Sequence, residues 1–221
     1  MYAVEPHVFS EKLTYDISYL KGTVGLMTLS YTSKHNGKTV LVYTDEARSL
    51  IAYFYKLNNS IETTLKANNY PKHYWQIKKD TNGRYIKNRE VSYEKKKITY
   101  IDNLKKKVRE FPVTGQYYDF LSGLFALRKM KLEAGTKASL PIFQKRTFYT
   151  ANFDVLRKET IEVPLGKFDT VVVDIELCPE GSSESKVDIR VWFSDDKNHR
   201  PVKLEVQFFF GSISSQLREI E

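Results

Sequence analysis

Residue character alternates along most of the chain. In 13–20, Leu13, Tyr15, Ile17 and Tyr19 fall on one side and Thr14, Asp16 and Ser18 on the other, the two-residue period of a strand with one wet face. Strands are read in the same way at 24–31, 39–44, 61–65, 74–79, 84–93, 97–101, 136–145, 147–158, 159–163, 170–177, 187–193, 201–210 and in a last run through Ile213, Leu217 and Ile220. The stretch 47–57 is compatible with a helix, but Ile51, Tyr53 and Tyr55 alternate and aromatics dominate, so it is read as strand.

Turn chemistry falls between these runs. Asn36-Gly37 is the strongest hairpin signal, because both residues tolerate the positive φ of a type I′ turn. Lys21-Gly22, Asn58-Asn59, 80–83, 94–96, 164–166, 179–185 and 195–199 mark further turns and loops, and Gly25 suits a bulge. The run Lys105-Lys106-Lys107 opens a polar stretch ending at Pro112. No internal repeat and no long linker divides the 221 residues, so one β-domain over 1–221 is expected.

Residues 116–130 break the pattern. Tyr117, Phe120, Leu121, Leu124 and Arg128 recur at helical spacing, with Phe125 and Leu127 beside the stripe. Thr114 is placed to cap the start, and Gly135 follows the end. A sheet of about a dozen strands twists and curls and does not stay flat. The expected fold is therefore all-β, mainly antiparallel: a strongly curved sheet or incomplete barrel around one central amphipathic helix. That helix, marked by Tyr117, Phe120, Leu121 and Leu124, is a candidate fixed core element buried against the sheet or a candidate lid, and no ligand-binding residue is assigned beyond it.

Thirty-five Lys and Arg against 27 Asp and Glu give a net charge of +8. Such a charge permits contact with nucleic acid, phospholipid or other anions, although Lys on strand faces and edges also serves solubility. The Lys runs at 95–97 and 105–107 flank turns, and no RNA-recognition, KH or cold-shock signature accompanies them, so nucleic acid is not favoured as a partner. The single cysteine, Cys178, excludes an intrachain disulfide and a Cys-based metal site and is read as a small buried strand residue. No apolar run approaches the roughly 18 residues of a transmembrane helix, and 1–10 lacks the basic and apolar regions of a signal peptide.

Catalytic motifs are missing. There is no Gly-x-Ser-x-Gly elbow, phosphate loop, dinucleotide fingerprint or His-Glu-x-x-His, and His7, His35, His73 and His199 are scattered. No catalytic residue, metal ligand or cofactor is assigned. Asp195-Asp196 with His199 is the one carboxylate and histidine grouping, and it reads first as turn chemistry.

Several segments carry a likeness to a known family. They are Phe9-Ser10-Glu11-Lys12-Leu13-Thr14-Tyr15; Gly22 to Gly25; Tyr118-Asp119-Phe120-Leu121-Ser122-Gly123-Leu124-Phe125-Ala126-Leu127-Arg128; Trp192-Phe193-Ser194-Asp195-Asp196; Arg200-Pro201-Val202-Lys203; and Gly211. Together they resemble the DUF3108 family of bacterial proteins of unknown function, in which a Gly is common where Ser10 stands. The resemblance implies an exported, periplasmic or envelope-associated protein, made with a signal peptide that this sequence would lack, and no known activity. A curved sheet holding a helix is also similar to the lipoprotein carriers of the LolA and LolB type, an analogy of fold.

The leading expectation is a non-catalytic envelope protein with an apolar or anionic lipid-like ligand in its concave sheet, or with an envelope protein as partner. The alternatives are a hydrolase using Asp195, Asp196 or His199, and an interaction scaffold whose concave face is filled.

Overall fold

The computed structural model describes residues 10–19, 22–33, 39–47, 58–80, 82–181, 187–208 and 211–221. The described strands are β1 (Ser10–Tyr19), β2 (Gly22–Ser33), β3 (Thr39–Ala47), β4 (Asn58–Leu65), β5 (Pro71–Lys79), β6 (Tyr85–Tyr93), β7 (Lys97–Asp102), β8 (Lys107–Pro112), β9 (Lys137–Gln144), β10 (Thr147–Val163), β11 (Gly166–Pro179), β12 (Val187–Ser194), β13 (Pro201–Phe208) and β14 (Gly211–Ile220), with helix α1 (Phe120–Arg128) between β8 and β9. All fourteen lie in one antiparallel sheet, ordered β8-β7-β6-β5-β4-β3-β2-β1-β14-β13-β12-β11-β10-β9.

Two meanders make this order. One runs from β1 out to β8, the other from β9 back to β14, and β14 pairs with β1. Since β8 and β9 are opposite edges, the segment joining them must cross the sheet. It crosses the concave face, and α1 is the middle of that crossing. The sheet is not closed by backbone pairing. Side chains close it: Phe143 of β9 packs on Phe111 of β8, ring centroids 5.0 Å apart, and the Tyr93 hydroxyl donates to the Phe143 carbonyl at 3.3 Å. Both edges are guarded. Tyr118 pairs with the β9 edge, its N–H donating to Pro141 O at 2.9 Å and its carbonyl accepting from Phe143 N at 2.8 Å. The β8 edge is short and carries Lys107, Arg109 and Pro112, groups that oppose strand addition.

The expected all-β curved sheet around a central helix is thus the observed fold, with local differences. The polar stretch before Pro112 is strand β8; its side chains are mostly exposed, so no alternation marks it. The strands read at 147–158 and 159–163 are one 17-residue strand. Register slips between Val155 and Arg157, and the extra residue Leu156 reverses the alternation so that one strand looks like two. Asn58-Asn59 is not a turn but the start of β4. The bulge expected at Gly25 falls one residue away, since Ile17 pairs Gly25 while Ser18 pairs Thr23. The Asn36-Gly37 turn lies outside the described residues, and the pairing of β2 with β3 is described as far as Ser33 and Thr39. The strand read at 47–57 lies outside them too, apart from Ala47 at the end of β3.

The helix begins later than its periodicity suggests. Asp119, not Thr114, is the N-cap: its Oδ1 accepts from Leu121 N at 2.9 Å and Ser122 N at 3.1 Å, and Asp119 N donates to Ser122 Oγ at 3.0 Å. This reciprocal capping satisfies amides that would be orphaned. Thr63 Oγ1 of β4 also donates to Asp119 Oδ1, at 3.1 Å. Burial pushes the Asp119 carboxyl up, against the opposing effect of these hydrogen bonds. Gly123 lets the helix approach β9, because a Cβ there would stand 2.9 Å from Ile142 Cδ1. The opposite end is held by charge. Buried Glu11 of β1 pairs with Arg128 and with Arg200, each at 2.7 Å, and the Arg128 guanidinium also donates to Asn198 O.

Candidate functional site

Inside the curve, α1 fills only part of the space. Its fully buried residues are Ser122, Gly123, Phe125, Ala126 and Leu127. Leu127, with Leu132, presses into a core of Phe153, Val155, Val171, Val173, Ile189, Val191 and Phe193. Phe120, Leu121 and Leu124 are less buried. Each helps line a cavity of about 410 Å³ between the helix and the inner faces of β1 to β6, β9 and β12 to β14. Three of the four residues singled out in the sequence for a core or lid helix therefore border a cavity. Phe120 keeps 40% of its surface exposed. Tyr117, the fourth, packs on Phe148 with ring centroids 4.9 Å apart and does not line the cavity. A smaller apolar recess of about 40 Å³ shares Phe120, Leu124, Ile189 and Leu204 with it.

The walls change character along the strands. Ile17, Leu29, Ile61, Leu204, Val206 and Ile213 make an apolar lining. Toward one rim the inward positions become polar in a direct cross-strand row: Asp45 of β3 pairs Asn59 of β4, Asn59 pairs Lys78 of β5, and Lys78 pairs Lys87 of β6. Lys145, from the β9–β10 turn, joins this rim. Desolvation raises the Asp45 carboxyl, while Asn59 and the Tyr43 hydroxyl, which donates to its Oδ2 at 2.7 Å, oppose that shift. Asp45 Oδ1 is buried without a hydrogen-bond partner. Burial lowers both Lys78 and Lys87 below the usual lysine value, and the positive charge of Lys145 lowers each further.

These lysines were not singled out in the sequence, yet a signal for them was there. Alternation places Lys78 on the side of Tyr74 and Gln76, and Lys87 on the side of Val91 and Tyr93, which are the buried sides of their strands.

The hydrolase candidates sit elsewhere and are engaged in the β12–β13 turn. Asp195 pairs with Lys158 at 2.6 Å, and Asp196 Oδ1 accepts from Asn198 N at 2.7 Å. His199, at φ +41°, presents Nδ1 to Arg128 O at 3.1 Å. Cys178, read as buried, is half-buried beside Asn152 and Glu176. His73 lies 3.5 Å from Glu90, and His7 and His35 are outside the described residues. Among the described residues no group of three or more His, Cys, Asp and Glu side chains is placed to hold a metal, and no helix is long and apolar enough to cross a membrane. A larger recess of about 830 Å³ lies on the outer face over β9 to β13. Its carboxylates include Asp154, paired with Lys137 at 2.9 Å, and Asp174, paired with Arg190. It is an open charged shelf.

The family model described as protein of unknown function, DUF3108, matches residues 14–218. The chain belongs to that family. Within this DUF3108 chain, three of the segments that carried the resemblance each contribute one charge to the Glu11, Arg128 and Arg200 cluster. In fold it is similar to a β-barrel-like protein of the domain of unknown function DUF1849 from Brucella abortus, with TM-score 0.65, 11% identity, and 96% of this chain and 97% of that one covered. A Bacteroides fragilis structure, described as a candidate exported protein with a YmcC-like fold, aligns with TM-score 0.33 at 13% identity over 96% and 95% of the two chains. No curated protein is significantly similar in sequence.

Proposed function

We propose that this DUF3108 chain is a non-catalytic binding protein of the cell envelope, acting as one domain, that holds an apolar, lipid-like ligand between its concave sheet and α1. The observation that carries the reading is the cavity of about 410 Å³. Its volume falls within the roughly 300–1,000 Å³ of small-molecule sites, and like them it combines mostly apolar walls with a few convergent polar groups. The helix is a fixed wall of this site and not a lid. Its cap is tied to Thr63 and its C-terminal Arg128 to Glu11, whereas a lid must open at small cost. The envelope location is supported by the motif resemblance.

The test is native mass spectrometry of protein purified from envelope fractions, with lipid extraction, beside uptake of a fluorescent apolar probe by the delipidated chain. A bound organic species and saturable uptake are expected. Leu124→Trp, which puts an indole into the cavity, should abolish uptake in a folded protein. Apo mass alone together with no uptake would overturn the reading.

A further inference from the structure

The cationic rim deepens that reading and rests on it. Lys78 and Lys87 are direct cross-strand partners on the inner face of a curved sheet. Like charges directly opposite one another repel, and desolvation adds to the cost. Among the described residues neither they nor Lys145 has a carboxylate at salt-bridge distance, and Asp45, which acts on Lys78 through space, is engaged by Tyr43 and Asn59. Lys145 reaches the rim from a turn in which Lys145 and Arg146 hold φ of +50° and +72°, a left-handed pair that ordinarily selects Asn-Gly. Three converging cations at a cavity mouth, two of them half-buried, are arranged for an anion. Volume limits what that anion is attached to. At roughly 30 Å³ for a methylene-sized group, about the share of a water molecule in the liquid, the 410 Å³ cavity takes one chain of about a dozen carbons and not two.

We propose that the ligand is a single-chain anionic amphiphile, its tail against Phe120, Leu121 and Leu124 and its carboxylate or phosphate head between Lys78, Lys87 and Lys145.

The experiment displaces a fluorescent apolar probe from the full chain with laurate, dodecyl phosphate, dodecanol and dodecyltrimethylammonium. The anions should compete about tenfold or more better than dodecanol, as charge-assisted contacts at a desolvated site imply, and the cation worst. The ratio of laurate to dodecyl phosphate identifies the head as carboxylate or phosphate. The double variant Lys78→Gln, Lys87→Gln should lose the anion advantage, the anions competing no better than dodecanol in that variant. Equal competition by dodecanol and dodecyl phosphate, or an unchanged preference in the double variant, overturns the head-group assignment and leaves the apolar site standing. Competition by none of the four, dodecanol included, overturns the lipid-holding reading itself. Two-chain phosphatidylglycerol vesicles competing as well as the one-chain form would remove the single-chain restriction.

Discussion

The two walls of the lumen follow the same alternation and use it differently. In β10 to β12 the inward residues Phe153, Val155, Val171, Val173, Val191 and Phe193 are at most 4% exposed. In β3 to β6 the inward residues toward one end, Leu41, Thr63, Leu65, Tyr74, Val91 and Tyr93, are buried as well, and those toward the cavity rim, Tyr43, Asp45, Asn59, Ile61, Lys78 and Lys87, are only half-buried. The difference lies in what the crossing segment can fill. A nine-residue helix is about 14 Å long at about 1.5 Å per residue, so it covers β3 and β4 toward one end only, where Phe125 packs on Leu41 and Leu65. Its Leu127 completes the first wall and its Phe125 closes one end of the second; Phe120, Leu121 and Leu124 border the gap that remains. Tight packing marks the part of the lumen that stabilises, and loose packing with inward charge marks the part proposed to bind.

The largest expected effect tests that division directly. Phe193→Ala removes a fully buried ring and should cost about 3–5 kcal/mol. Leu124→Ala, already bordering the cavity, should cost about 2 kcal/mol, the low end of the Leu→Ala range. Urea unfolding midpoints measure both, and equal losses would break the comparison. The next effect concerns how the helix is held toward the tight wall. Glu11→Gln leaves Arg128 and Arg200 facing each other without their carboxylate. Removing one member of a buried ion cluster costs about 3 kcal/mol or more, and probe uptake should weaken with it, because α1 forms one side of the cavity. A loss below about 1 kcal/mol, the scale of an exposed pair, would mean the cluster does not fix the helix.

Much of this was legible because meanders are local. Each hairpin needs only two alternating runs and a turn, and Tyr74 to Tyr100 could be read off in order. β8 escaped because an edge strand wet on both faces has no apolar side. The helix was found, but its orientation was not. With Phe120, Leu124 and Leu127 along one side, Leu121 and Phe125 along the next and Ala126 beyond them, it is apolar nearly all round, and periodicity cannot say which side meets the wall. The Glu11 and Arg128 pair was beyond reach for another reason: β1 and the end of α1 meet only once the sheet has curled, and no local pattern records that closure. The inward lysines were within reach, since their parity on β5 and β6 is set by neighbours two residues away.

The smallest expected effect sharpens the comparison at those lysines. If the loose wall holds Lys78 against Lys87 for binding and not for stability, Lys87→Gln should stabilise the unliganded chain, by about 0.2–1 kcal/mol, the scale of a cross-strand pair. The change should depend on pH in a definite direction. Burial lowers both lysines in the folded chain, so below the usual lysine value the unfolded chain holds more protons than the folded one. Their contribution to stability is therefore fully present above about 10.4, the unperturbed lysine value, and is lost as pH falls through the lowered folded value. From pH 10.5 down to 8 the parent chain should lose stability relative to Lys87→Gln, and the gap between their urea midpoints should widen before levelling near neutrality. Dodecyl phosphate should narrow the gap at pH 8, because an anion between the two ammonium groups relieves the repulsion that the variant removes. Parallel midpoints across the range, with and without the anion, would mean that the pair is solvated like any surface lysines and that the loose wall carries no charge built for a ligand.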